Sequence, residues 1–246
     1  MPKIYLSPST QEFNRTLSGR SEEYYMNLIA DAIIPYLNAS GIEYGRNMPN
    51  MTALEAAEDA NKGDYDFYLA IHSNAAGENF AGMLRGADIY YYPNSIEGRR
   101  AATIFANNYK EIYPQPSRVQ TIPLATLIDL NKTKMPAILV ETAYHDNSFD
   151  FAWLSSNINE IAENLSISVA DYLNVPFSDP ARFGRGIVNL TSGNLNVRRE
   201  PSINSQVIAT LRDGETVTVL QAVNNWLRIR SNGITGYVDS RFINEL

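Results

Sequence analysis

The chain of 246 residues contains no cysteine. Disulfides, thiolate metal centres and cysteine nucleophiles are therefore excluded. Any metal must rely on histidine, carboxylate or neutral oxygen donors. Histidine is scarce, with His72 and His145 alone. Long apolar runs are missing: none approaches the roughly 20 residues needed to span a bilayer, so no membrane insertion is expected. A basic start running into an apolar stretch is also missing. The expectation is synthesis in the cytoplasm without a secretory leader. Positive charge is in short supply, 20 Lys and Arg against 27 Asp and Glu, for a net of −7. Residues 1–180 carry 12 basic and 22 acidic side chains, a net of −10, which argues against a nucleic-acid partner for that part. Residues 181–246 carry 8 and 5, a net of +3, a mild attraction to anionic surfaces.

Against this background two short apolar runs stand out. Phe67-Tyr68-Leu69-Ala70-Ile71 leads into His72-Ser73-Asn74, and Pro136-Ala137-Ile138-Leu139-Val140 leads into Glu141. Bounded runs rich in β-branched and aromatic residues read as buried strands. In open α/β sheets the ligand crevice lies beyond the carboxyl ends of the strands. His72 and Glu141 are thus expected to face one site.

Strand-like and helix-like segments alternate over residues 1–175. Ile4-Tyr5-Leu6 reads as a strand. Ser21 to about Asn38 reads as a helix, with Met26, Ile29, Ala30, Ile33 and Leu37 on one stripe and Ser21 as N-cap. Ala53–Asn61, Ser95–Tyr109 and Ile158–Leu173 read as further helices, and Ala87–Tyr92 as a strand. This alternation predicts an α/β fold with a largely parallel sheet flanked by helices. The tyrosines at 90, 91 and 92 alternate faces, so at least one belongs to the core. A proline-containing polar stretch predicts a linker over 176–184. From 185 to 246 the helical signal stops. Val217–Leu220, Trp226–Ile229 and Gly236–Val238 read as strands between Asp213-Gly214, Asn224-Asn225 and Asn232-Gly233 turns, giving a small all-β barrel with Trp226 in its core.

One imidazole and nearby carboxylates suit a divalent metal, most commonly zinc. A carboxylate that is not a ligand could act as general base on metal-bound water, and such a pair would hydrolyse an amide. Glu23, at the start of the first predicted helix, is one candidate, although both it and Glu22 also suit a helix N-terminus.

Several segments in order carry a specific resemblance. They are Lys3-Ile4-Tyr5-Leu6-Ser7-Pro8, Glu23 with Asn27 four residues on, Asn61 before Asp66 to Asn74, Gly86 to Tyr92, and Met135 to Glu141 with Asn147 following. Over about 1–173 the chain resembles the zinc-dependent N-acetylmuramoyl-L-alanine amidases of bacterial autolysins and phage endolysins, the type 3 amidase family. The resemblance implies one zinc ion per chain, held by Glu23 and His72, with Glu141 as the catalytic carboxylate. The bond cut would join the lactyl group of muramic acid to L-alanine of peptidoglycan. The family carries a further ligand histidine where this chain has Thr10. Its neighbour Gln11 is the candidate replacement, or a loop stabiliser, and weaker metal affinity follows from the loss. Asn74 and His145 are candidate substrate contacts, His145 being alternatively a solvated loop residue. Residues 185–246 resemble bacterial SH3-type wall-binding modules, on Leu195-Asn196-Val197-Arg198, Gly214-Glu215, Trp226 to Ile229 and Gly236-Tyr237-Val238. Peptidoglycan is the implied partner, reached at the cell wall after release. The lost histidine leaves one alternative, a catalytically degenerate wall-binding protein, and a peptidase acting within the stem peptide is another.

Overall fold

The computed structural model describes residues 1–180, 184–223 and 225–245. Parts of the expected linker (181–183) and of the Asn224-Asn225 turn lie outside the described residues. Two compact units are present, one of Met1–Leu37 with Ile42–Pro176, the other of Asn38–Gly41 with Phe177–Leu246.

In chain order the first unit holds β1 (Lys3–Pro8), α1 (Glu22–Ala39), β2 (Glu43–Arg46), α2 (Ala53–Ala60), β3 (Phe67–Asn74), β4 (Ala87–Tyr91), α3 (Ile96–Ile112), β5 (Val119–Pro123), α4 (Ile128–Asn131), β6 (Ala137–Tyr144), α5 (Ser148–Ser156) and α6 (Ile158–Leu173). The strands form one sheet in the order β2-β1-β3-β6-β4-β5. Neighbours run parallel except β4 and β6, which are antiparallel.

The period-two alternation of the strands sorts their side chains. Ile4 and Leu6, Phe67, Leu69 and Ile71, Ile138 and Val140, and Ile89 pack with Met26, Ile29, Ile33 and Leu37 of α1 in the main core. Burying each such side chain contributes about 1.5–3 kcal/mol. The opposite face gathers Tyr5, Tyr68, Ala70, Ala137 and Leu139 with Leu130 of α4. His72 continues the phase of Tyr68 and Ala70, Glu141 that of Ala137 and Leu139, and Asp88 that of Tyr90. The register pairs His72 with Glu141 and Asp88 with Glu141. Three polar side chains therefore stand side by side on one sheet face. The two strands run a few residues past His72 and Glu141 rather than ending on them. Of the three tyrosines, Tyr91 joins the main core while Tyr90 and Tyr92 pack on the other face.

Helix α2 opens with a capping box: the Thr52 hydroxyl accepts from the Glu55 N–H, and the Glu55 carboxylate accepts from the Thr52 N–H. No helix among the described residues is long and apolar enough to cross a membrane.

The second unit is an antiparallel sheet of β7 (Arg185–Val188), β8 (Leu195–Arg198), β9 (Val207–Leu211), β10 (Thr216–Val223), β11 (Trp226–Ser231), β12 (Ile234–Asp239) and β13 (Ile243–Glu245), ordered β13-β7-β10-β11-β12-β8-β9. The β11–β12 hairpin turns on Asn232 and Gly233 at φ 49° and 78°, both in the left-handed region that a type I′ turn demands. Val188, Val197, Leu211, Ile229 and Val238 form its core. Trp226 is not among them. At the start of β11 it is half-buried and lines a surface depression with Phe242, Arg198 and Arg241.

Candidate active site

The N-terminus of α1 lies at the carboxyl edge of the sheet, beside β3. Glu22 Oε1 lies 2.9 Å from His72 Nδ1 and accepts the Ser73 N–H at 3.2 Å. Its Oε2 accepts Asn14 Nδ2 at 2.8 Å. Asn14 also donates to Gln11 Oε1 at 3.3 Å. Asn14 Oδ1 faces His145 Nε2 at 3.1 Å, and His145 Nδ1 faces Ser73 Oγ at 2.8 Å.

The carboxylate partner of His72 is thus Glu22, which is only 1% exposed, and not Glu23. Glu23 faces a separate depression with Arg15, Arg20 and Tyr24. The Glu23–Asn27 spacing has a different meaning: Asn27 Nδ2 donates to the Glu23 carbonyl, and Asn27 Oδ1 accepts from Arg46 at 2.6 Å. Helix phase explains the swap. Glu22 precedes Met26 by four residues and Ile29 by seven, so it heads the buried stripe, whereas Glu23 lies one step off it. That signal was present in the sequence.

Burial works against charge on Glu22. The hydrogen bond and charge of His72, with bonds from the Ser73 N–H and the Ser9 hydroxyl, nonetheless hold its pKa below the usual value. Burial likewise opposes charge on His72. The bond and charge of Glu22 outweigh it, helped by Glu141 and Asp129, and lift the imidazole to about 9.

Glu141 sits beside this pair. Among the described residues its Oε2 is buried with no hydrogen-bond partner. Burial is the first cause that raises its pKa to about 8; His72 pulls down, while Glu22, Asp88 and Asp129 push up. Asp88 accepts Asn74 Nδ2 at 3.4 Å and the hydroxyls of Tyr144 and Tyr90. Asn74 therefore joins the site on the Asp88 side of Glu141.

His72 opens on a cavity of about 530 Å³ that Ser9, Thr10, Gln11, Asn47 and Asp129 also line. Asp129 Oδ1 accepts the Tyr68 hydroxyl at 2.9 Å. Gln11 and Thr10 thus lie on the same cavity as the imidazole. His145 does not: it is fully buried, both ring nitrogens are engaged, and it is removed from direct contact with any substrate. It is no solvated loop residue either. Sequence reasoning missed Asn14, Asp88 and Asp129. Asp88 left a trace, a lone acid inside an apolar strand. Asn14 and Asp129 left none.

A carboxylate oxygen and an imidazole nitrogen at this separation suit chelation of one small divalent cation. Among the described residues no third His, Cys, Asp or Glu joins them in a group able to hold a metal. The donor set fits a cation gripped at two points, with the remaining positions left to neutral oxygen.

The family profile described as N-acetylmuramoyl-L-alanine amidase matches residues 11–171. The chain belongs to the N-acetylmuramoyl-L-alanine amidase family. A second profile, the bacterial SH3 domain, matches residues 193–244. Among solved structures, the amidase AmiC2 of Nostoc punctiforme superposes with a TM-score of 0.62 at 20% identity, covering 70% of this chain and 97% of that one. An N-acetylmuramoyl-L-alanine amidase from Clostridium difficile 630 gives 0.63 at 16% identity over the same shares. These likenesses establish the amidase fold. An endolysin of Bacillus phage SPP1 is 27% identical over 128 residues, 50% of this chain and 45% of the relative. The chain thus spans less than half the length of that curated relative.

Proposed function

We propose that the chain hydrolyses the amide joining the lactyl group of N-acetylmuramic acid to the L-alanine of peptidoglycan. The observation that carries this reading is Glu141, whose buried Oε2 has no hydrogen-bond partner among the described residues, in register with His72, which lines an open cavity. Membership of the amidase family and the phage endolysin relative support it.

Glu22 and His72 would hold a zinc ion, with Gln11 on the same cavity as the candidate neutral oxygen donor. When bound, zinc supplies polarisation of the substrate carbonyl and acidification of water. The remaining work falls to the chain. The Glu141 carboxylate accepts the proton of the attacking water and returns it to the departing alanine nitrogen, so the carboxylate is regenerated in each cycle. Its raised pKa suits both halves of that exchange near neutral pH. Asn74, bonded to Asp88 beside Glu141, would contact substrate. The SH3-type unit would tether the enzyme to its polymer at the cell wall and raise the local concentration of scissile bonds without new active-site contacts.

Digestion of purified sacculi tests this. The expected products carry free L-alanine amino termini, with no new reducing sugar ends. New sugar ends would indicate a glycosidase and cuts inside the stem peptide a peptidase; either result overturns the reading.

A further inference from the structure

Four residues remote in sequence close a hydrogen-bonded ring behind the site. Ser73 starts it, its N–H donating to Glu22 Oε1. Glu22 Oε2 accepts from Asn14, Asn14 Oδ1 meets His145 Nε2, and His145 Nδ1 returns to Ser73 Oγ. We propose that Asn14 and His145 are positioning residues that hold the Glu22 carboxylate against His72. The proposal rests on the amidase reading for its kinetic consequence, but not for its spectroscopic one.

The carboxylate sets the sense of every bond in the ring. An ionised carboxylate only accepts, so it draws the Asn14 NH₂ toward itself. That turns Asn14 Oδ1, an acceptor, toward His145. The imidazole must therefore carry its proton on Nε2. A neutral imidazole has one N–H, so Nδ1 becomes an acceptor and receives a hydrogen bond from the Ser73 hydroxyl. Burial pushes the His145 pKa down, outweighing the Glu22 charge, a hydrogen bond to the Ser73 backbone and the Asp146 charge, and so favours the neutral ring.

Without the Nε2 proton, the Asn14 amide keeps only its bonds to Glu22 and Gln11. Its oxygen loses the donor that anchors it, the side chain gains freedom, and the Glu22 carboxylate loses a fixed partner. His145 is wholly buried, so bulk water cannot readily stand in for it. The second amide hydrogen of Asn14 holds Gln11, so the same residue also fixes the cavity wall.

Nitrogen-15 NMR of the full chain at neutral pH reads the tautomer of His145 directly. The expected signature is a neutral ring protonated at Nε2, lost or averaged in Asn14→Ala. A ring protonated at Nδ1, or a charged ring, overturns the proposal whether or not the protein cuts peptidoglycan. On wall substrate, Asn14→Ala and His145→Ala should each lower kcat roughly 10–100-fold, as outer partners of ligand residues do. KM should stay within about twofold, because substrate binding is not the step disturbed. The double variant should be no worse than the poorer single one, since both break one ring. His145→Gln, which keeps a donor, should recover much of the loss. Multiplying effects, or no rescue by glutamine, would mean separate packing defects and sink the idea.

Discussion

Asp88 stands directly across the β4–β6 ladder from Glu141, so two carboxyl groups share one buried face of the sheet. Burial raises both pKa values, and the charge of Asp88 raises Glu141 further. Replacing Asp88 by Asn removes a neighbouring negative charge and favours ionised Glu141. The limb of the pH–rate profile that reports Glu141 should therefore move to lower pH. A limb that stays in place, or moves up, contradicts this coupling.

The role of Glu141 itself is open to a simpler measurement. Glu141→Gln keeps the shape but cannot exchange a proton. Turnover should fall by about 10²–10⁴, the usual share of general acid–base catalysis. The thermal midpoint should not drop, because the buried carboxyl oxygen has no partner to lose among the described residues. Retained turnover would require another base.

Adjacent glutamates on α1 give an internal control. Glu22→Gln should unpair His72, weaken zinc uptake in equilibrium dialysis and abolish most activity. Glu23→Gln should leave both near the parent value, since that side chain faces a different depression. The reverse pattern would restore Glu23 as the ligand.

His145 also predicts how stability depends on pH. Burial lowers its pKa in the fold below the unfolded value of about 6.5. Below that value the unfolded chain binds more protons than the folded one, so this contribution is fully present above it. It is lost as pH falls from about 6.5 toward the depressed folded pKa. Urea midpoints measured across this window should decline with acid for the parent chain. In His145→Leu that part of the slope should vanish, and an unchanged slope would assign the decline to other groups.

Much of this architecture was legible because period and position coincide. The runs before His72 and Glu141 are buried on both faces, so their composition announced them. The α1 stripe fixed a helix face, and reading its phase one residue further back would have selected Glu22. β2 and β5 went unread because they are short edge strands, partly exposed and without alternation. α4 is one turn long, and α5 is apolar around much of its circumference, which hides its period. Asn14 lies in a polar loop where no periodicity operates. Its role exists only in three dimensions, through contacts with residues 8 and 131 positions away.

The ring around Ser73 has a temporal consequence. Its members arrive at positions 14, 22, 73 and 145, so a chain halted before the last of them cannot complete it. A fragment that ends before position 145 lacks the donor that closes the ring around the carboxylate. On the proposed reading, the site is complete only when assembly of the first unit is nearly finished.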